Sequence, residues 1–179
     1  MKKNKYLVIN SNMNKDSKSL FITDLIIKKI NEKNDSKINS DLILLSQFDI
    51  PLCNGNNHLN NKTVLDLNHK INQSDGILIF TPIYNYNINS ALKNLIEMTG
   101  NAWKEKILAF VCIAGGEKSY MSVMSLANSL MLDHRCVIIP RFVYVTGTDF
   151  ISDSKLNDNI MTRINGLVDD LIKFVKSLT

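Results

Sequence analysis

Gly76-Ile77-Leu78-Ile79-Phe80, followed at once by Thr81-Pro82-Ile83-Tyr84-Asn85-Tyr86-Asn87 and then by Ile88-Asn89-Ser90-Ala91-Leu92-Lys93-Asn94-Leu95-Ile96-Glu97, is the stretch whose reading decides the fold. An unbroken apolar run without alternation reads as a strand buried on both faces, the signature of a parallel sheet. Beyond it, Leu92, Leu95 and Ile96 fall at helical spacing and belong to a core, and Lys93 and Glu97 form an i, i+4 pair on the outer face. Asn94 is placed to tie the preceding loop to this helix. The loop between strand and helix lies where open α/β sheets bind ligands. Its Pro, two Tyr and several Asn offer backbone amides, aromatic faces and side-chain amides to a flat polar ring without adding charge. The same Asn residues also suit ordinary turn capping, and the Tyr rings suit packing on the helix.

Working outward, strand and helix signals alternate along the whole chain. Tyr6–Asn10 reads as the first strand, Leu20–Ile30 as a helix capped by Ser17 or Ser19, and Lys37–Leu45 as the second strand. Ser46–Asn61 is a long Asn-rich loop, a length usually associated with function or mobility. Thr63–Ile71, Ser90–Thr99 and Ser119–Asp133 read as helices, and Lys106–Ile113 and Cys136–Ile139 as strands. A last helix, Asp153–Leu178, is capped by Asp153 or Ser154. Right-handed crossovers then give one domain over residues 1–179: a three-layer α/β/α sandwich around a five-stranded parallel sheet. Order 2-1-3-4-5 is the economical choice, with its switch point between the first and third strands.

That order brings three loops together, residues 10–19, 81–87 and 114–119, and these are the most polar and least helix-like in the chain. Ser11, Lys15, Ser17 and Ser19 supply hydroxyls and an amine ahead of a helix whose free N–H groups favour an anion such as a monophosphate. Gly115 and Gly116 either make a tight turn or let backbone approach a planar ring. Neither GxxxxGK[ST] nor GxGxxG spacing is present, which argues against a nucleotide triphosphatase or a dinucleotide-binding dehydrogenase.

Composition is permissive. The chain has 179 residues, 45% hydrophobic, and 21 Lys plus Arg against 17 Asp plus Glu, with the cations spread throughout. Neither a nucleic-acid footprint nor a membrane span or signal peptide is expected. Cys53, Cys112 and Cys136 form an odd set without CxxC spacing, and Cys112 and Cys136 sit in apolar surroundings, as in a reduced cytoplasmic protein. Asn is unusually abundant and Arg scarce.

The residues T-P-x-Y-N followed by L-K-N-x-I-[DE], here Thr81, Pro82, Tyr84, Asn85, Leu92, Lys93, Asn94, Ile96 and Glu97, resemble the NAD(P)H-dependent FMN reductases, a flavodoxin-like group that includes small quinone, azo-dye and chromate reductases. Asp49-Ile50-Pro51-Leu52, Trp103 ahead of Lys106, and Gly115-Gly116 add to the likeness, which covers about the first 145 residues. The resemblance implies bound FMN, its phosphate on Ser11, Ser17 and Ser19, its ring lined by Pro82, Ile83, Tyr84 and Asn85, and Gly115 and Gly116 beside the ring. It implies NAD(P)H as co-substrate, a ping-pong transfer of hydride through the flavin to a small-molecule electron acceptor, and a homodimer or homotetramer. No catalytic side chain is required, because the cofactor carries the chemistry. His58 is either a solvated surface residue or a border of the acceptor site.

Three positions depart from the group's pattern. Asn10-Ser11-Asn12-Met13 stands where Gly-Ser-x-Arg is usual, Ile83 where Glu is usual, and Asn89-Ser90 where Pro-Gly is usual. Loss of the phosphate-binding Arg removes about 1.5 to 3 kcal/mol unless Lys15 or Lys18 replaces it, so FMN is expected to bind about 10- to 100-fold more weakly. A flavodoxin-like electron carrier and a non-catalytic binding protein are the alternatives; a chain of net charge +4 argues against a carrier that docks through acidic surface.

Overall fold

The computed structural model describes residues 4–15, 17–33, 39–55 and 61–179. His58 and the start of the expected second strand at Lys37 lie outside them. The elements run β1 (Lys5–Asn10), α1 (Ser19–Glu32), β2 (Asn39–Leu44), α2 (Lys62–Gln73), β3 (Gly76–Tyr84), β4 (Asn87–Ile88), α3 (Ser90–Thr99), β5 (Ile107–Ala114), α4 (Met124–His134), β6 (Val137–Thr146), β7 (Phe150–Ser152), β8 (Lys155–Leu156) and α5 (Asp158–Leu178).

Strands β2-β1-β3-β5-β6 are parallel neighbours in that order, which is the expected 2-1-3-4-5 arrangement. Alternation along each strand divides the core. Leu7, Ile9, Ile77, Ile79, Leu108 and Phe110 pack with α2, α3 and α4 on one face. Tyr6, Val8, Leu78, Phe80, Ala109 and Val111 pack with α1 and α5 on the other. Cys112 and Cys136 are buried free thiols, as expected, and desolvation pushes them up to about 12 and about 11, so neither is a thiolate at neutral pH.

The sheet holds six strands rather than five. The sixth is β4, which pairs antiparallel with a β3 that continues four residues beyond the apolar run, Ile83 opposite Ile88 and Tyr84 opposite Asn87. Pro82 inside β3 has a geometric explanation. Ser11 N–H donates to Phe80 O, so even-numbered β3 residues turn their polar groups toward β1, and β1 ends opposite Phe80. The nitrogen of Pro82 therefore faces that side in the gap between the last β1 pair at Phe80 and the first β4 pair at Ile83, where no ladder partner is paired with it.

Two further boundaries differ from the expected ones. β6 continues past Pro140 to Thr146 through a register shift between Leu108 and Phe110 of its neighbour. The last helix begins at Asp158, not Asp153, because Phe150–Ser152 and Lys155–Leu156 form a short hairpin first, and its cap is Asn157, which accepts from Ile160 N–H at 2.9 Å.

Gly76 opens β3 against α5. A Cβ there would lie 2.6 Å from Val175 Cγ2, 3.2 Å from Tyr6 Cδ1 and 3.3 Å from Leu171 Cδ1. Gly76→Ala should therefore destabilise the protein by about 1 to 3 kcal/mol through overpacking, read as a lower urea midpoint with an unchanged slope. An unchanged midpoint would show that α5 moves freely at this contact.

Candidate functional site

The carboxyl ends of β1, β3, β5 and β6 converge at one edge of the sheet, and Asn89 ties the first two together. This residue is 5% exposed and caps α3, accepting from Leu92 N–H at 3.4 Å. Its Oδ1 also accepts from Ser11 Oγ at 2.9 Å and Thr81 Oγ1 at 3.3 Å, while its Nδ2 donates to Ser11 O at 2.5 Å. One side-chain amide thus joins the β1 loop, the end of β3 and the start of α3.

The β1 loop is built by similar amide chemistry. Asn10 Oδ1 accepts from Asn12 N–H at 2.9 Å and Asn12 Oδ1 from Asn14 N–H at 3.0 Å, two successive Asx turns. Asn10 Nδ2 donates to Ser19 Oγ and Thr23 Oγ1 beneath the loop, and Asn12 Nδ2 donates to Ser17 Oγ at 2.7 Å. Ser17 Oγ also accepts from Ser19 N–H at 3.2 Å, but the N-cap residue of α1 is Lys18, with no side-chain capping bond, so neither expected serine is the cap. Ser11 and Ser19 are buried with their hydroxyls engaged inward, Ser17 is half-buried, and Lys15 is exposed. Lys18 Nζ lies 2.8 Å from Asp153 Oδ1 and 5.2 Å from the Phe150 ring centre, and this contact holds the Asp153 carboxyl below its ordinary range.

A groove of about 690 Å³ opens between the ends of β3, β5 and β6. Ile83, Asn85 and Tyr86 from the end of β3 and its hairpin, Ala114 to Ser119 and, from β6 onward, Thr146 and Thr148 line it. The structure thus brings Ile83, Asn85, Gly115 and Gly116 into one cavity. Pro82 is buried in the strand beneath, and Tyr84 is exposed outside the groove lining. Ideal Cβ positions at Gly115 and Gly116 meet nothing within 4 Å, so the backbone is bare toward the groove. Gly116 is extended, with φ −160°, so close approach and not backbone freedom distinguishes glycine here.

Sequence reasoning missed the contribution of β6. Tyr144 OH donates to Gly116 O at 3.2 Å and also contacts Ser119 Oγ, supporting the glycine loop from behind. Asp149 accepts from Thr146 N–H at 2.7 Å, Thr146 Oγ1 at 2.9 Å and Asn157 Nδ2 at 2.9 Å, fixing the end of the groove. Burial pushes this carboxyl up, but those hydrogen bonds and the Arg163 charge outweigh it and hold Asp149 below the ordinary 3.8. Because Cys136–Ile139 reads as a complete strand, nothing in the residue pattern marks Tyr144 or Thr146 as strand ends. Asn94 ties the 46–61 loop, and not the 81–87 loop, to α3. Its Oδ1 accepts from Cys53 N–H at 2.9 Å and its Nδ2 donates to Pro51 O at 3.0 Å. A smaller cavity of about 290 Å³ lies between this loop, Met13 and Ser90.

A family model described as NADPH-dependent FMN reductase matches residues 4–150. The chain is 24% identical over 133 residues to an NADPH azoreductase of Bacillus sp. (strain OY1-2), covering 73% of this chain and 74% of the relative. It is 23% identical over 124 residues to an NAD(P)H-dependent FAD/FMN reductase of Geobacillus thermodenitrificans (strain NG80-2), covering 68% and 67%. Among solved structures, the flavoenzyme NAD(P)H:(acceptor) oxidoreductase FerB of Paracoccus denitrificans superposes with a TM-score of 0.78 at 21% identity, covering 97% of this chain and 98% of that one.

Asn89→Ala should cost about 2 to 4 kcal/mol, since it removes a cap and leaves buried Ser11 groups unpaired, measured as a fall in thermal midpoint. Asp149→Asn should cost about 1 kcal/mol at neutral pH. A carboxylate depressed in the folded state contributes its full stability above the unfolded value near 3.8, and that contribution disappears as pH falls through the lower folded value. The difference between wild type and Asp149→Asn should therefore vanish in acid; a constant difference from pH 7 to pH 3 would contradict this role.

Proposed function

The chain belongs to the NADPH-dependent FMN reductases, oxidoreductases that use FMN and NAD(P)H, and on that premise we propose that the FMN ring lies in the groove between the ends of β3, β5 and β6. The observation that carries this reading is the convergence of Ile83, Asn85, Gly115 and Gly116 on one cavity of about 690 Å³, a size suited to a cofactor ring. The open space above Gly115 and Gly116 lets a ring edge reach backbone N–H groups, which would stabilise negative charge developing near N1 and O2 of the ring. Ile83 offers an apolar wall, and Asn85 an amide that both donates and accepts.

Lys15 and Ser17, with the N-terminus of α1, are the groups proposed to hold the phosphate. Ser11 and Ser19 act one layer deeper, where their hydroxyls fix the Asn10 and Asn89 amides. Lys18 is engaged with Asp153, which leaves Lys15 as the cation closest in role to the missing Arg.

When bound, FMN supplies the ring that accepts hydride from NAD(P)H and passes it to a small-molecule acceptor. The protein's part is to orient that ring, present backbone donors to one edge, and leave the other face open to donor and acceptor in turn. Parallel double-reciprocal plots are the kinetic consequence. A quinone, azo compound or free flavin fits as acceptor. We also infer a homo-oligomer, on the family resemblance. The buried free thiols suit a cytoplasmic location, and among the described residues no helix is long and apolar enough to cross a membrane.

The test is an anaerobic titration of FMN-loaded protein with NADPH, followed by addition of a quinone. Loss of the flavin colour and its return on quinone addition are expected; a colour inert to both NADH and NADPH would reject the reductase reading. In FMN titrations of the colourless protein, Lys15→Ala should weaken binding about tenfold and Asn85→Ala about three- to tenfold. Unchanged affinity in both would place the cofactor elsewhere.

A further inference from the structure

The tip of the β3–β4 hairpin carries a residue that its own conformation disfavours. Tyr84 pairs with Asn87, so Asn85 and Tyr86 alone form the turn. Both are left-handed, with φ 51° and 60°. Two such residues make the type I′ turn that matches strand twist, and Asn-Gly is its preferred sequence. Asn85 suits the first position. Tyr86 does not suit the second, because a bulky side chain is strained there and glycine is not.

Strained residues persist when surrounding structure over-determines them or when function uses the strain. Internal packing does not account for Tyr86: the residue is 67% exposed, and among the described residues no hydrogen bond or ring contact holds it. The hairpin is anchored by other groups. Ile83 is buried in the core with Ile88 packed against it, and Ser125 Oγ donates to Asn87 Oδ1 at 3.4 Å. These contacts fix the hairpin base and leave the Tyr86 ring as part of the groove wall, in the same cavity as Gly115, Gly116 and Lys118.

We infer that Tyr86 is a substrate-contacting residue that stacks on the planar ring of a molecule entering the groove over the flavin, so that the site prefers flat aromatic substrates. The inference rests on the FMN reading above. Two sources offer such a ring, the nicotinamide of the donor and an aromatic acceptor, and aromatic stacking is the shared chemistry.

The test compares FMN-loaded wild type, Tyr86→Gly and Tyr86→Phe with NADPH as donor and either a naphthoquinone or ferricyanide as acceptor. Tyr86→Gly should raise the thermal midpoint by about 2 to 4 °C by relieving the turn. It should raise the KM for the naphthoquinone, for NADPH or for both about three- to tenfold, which identifies the stacked ring, and leave the KM for ferricyanide and the Kd for FMN within about twofold. Tyr86→Phe, which keeps the ring, should match wild type. Unchanged KM for both flat substrates, an equal loss for ferricyanide, a weakened FMN Kd, a fallen midpoint or an altered subunit mass would each overturn the inference. A wild type that NADPH cannot reduce would remove its premise and mark the failure as that of the FMN reading.

Discussion

The amide of Asn89 is the interaction on which the site's geometry depends. A parallel sheet with its switch point between β1 and β3 opens a crevice, but the crevice has a defined shape only if the loops leaving the two strands are held in register. Asn89 does this from the α3 N-terminus, joining the main chain and hydroxyl of Ser11 to Thr81 and to the first turn of the helix. Every bond is buried, so the groups are expensive to leave unpaired. The β1 loop, the extension of β3 and the hairpin beyond it then behave as one rigid frame.

The same chemistry gives several Asn residues a structural role. Asn61, Asn89 and Asn157 cap α2, α3 and α5, and Asn10 and Asn12 form the successive turns of the β1 loop. A side-chain amide accepts at a helix start and donates to a neighbouring carbonyl, so it fixes the backbone at both places. At Asn89-Ser90 the junction is held by buried amide hydrogen bonds.

Most of the fold was legible because the Gly76–Phe80 run and the periodic helices are long-wavelength signals that tertiary contacts do not reverse. The economical strand order 2-1-3-4-5 is the observed one, and Gly115, Gly116, Ile83 and Asn85 meet in one cavity, but that cavity lies between β3, β5 and β6 and no residue of the 10–19 loop lines it. Short-range detail escaped for physical reasons. The continuation of β3 through Pro82 depends on where β1 stops, which the sequence of β3 does not contain. The inward turn of Ser11 and Ser19 depends on Asn89 and Asn10, separated from them by 78 and 9 residues. Tyr144 and Thr146 were hidden behind Pro140, which looks like a strand end but sits at a bulge.

The site consequently has two unlike halves. In the proposed reading the ring half is a groove with bare backbone at Gly115 and Gly116, whereas the phosphate half has no Arg and would rely on Lys15, Ser17 and the α1 terminus. Binding energy should therefore come mainly from the ring, and the most direct measurement is an amide NMR titration of the colourless protein with FMN. The account predicts the largest shifts at residues 83–85, 114–119 and 146–148, with smaller ones at 12–18. Shifts concentrated instead around Met13, Phe48, Leu52 and Asn94, the second cavity, would contradict it.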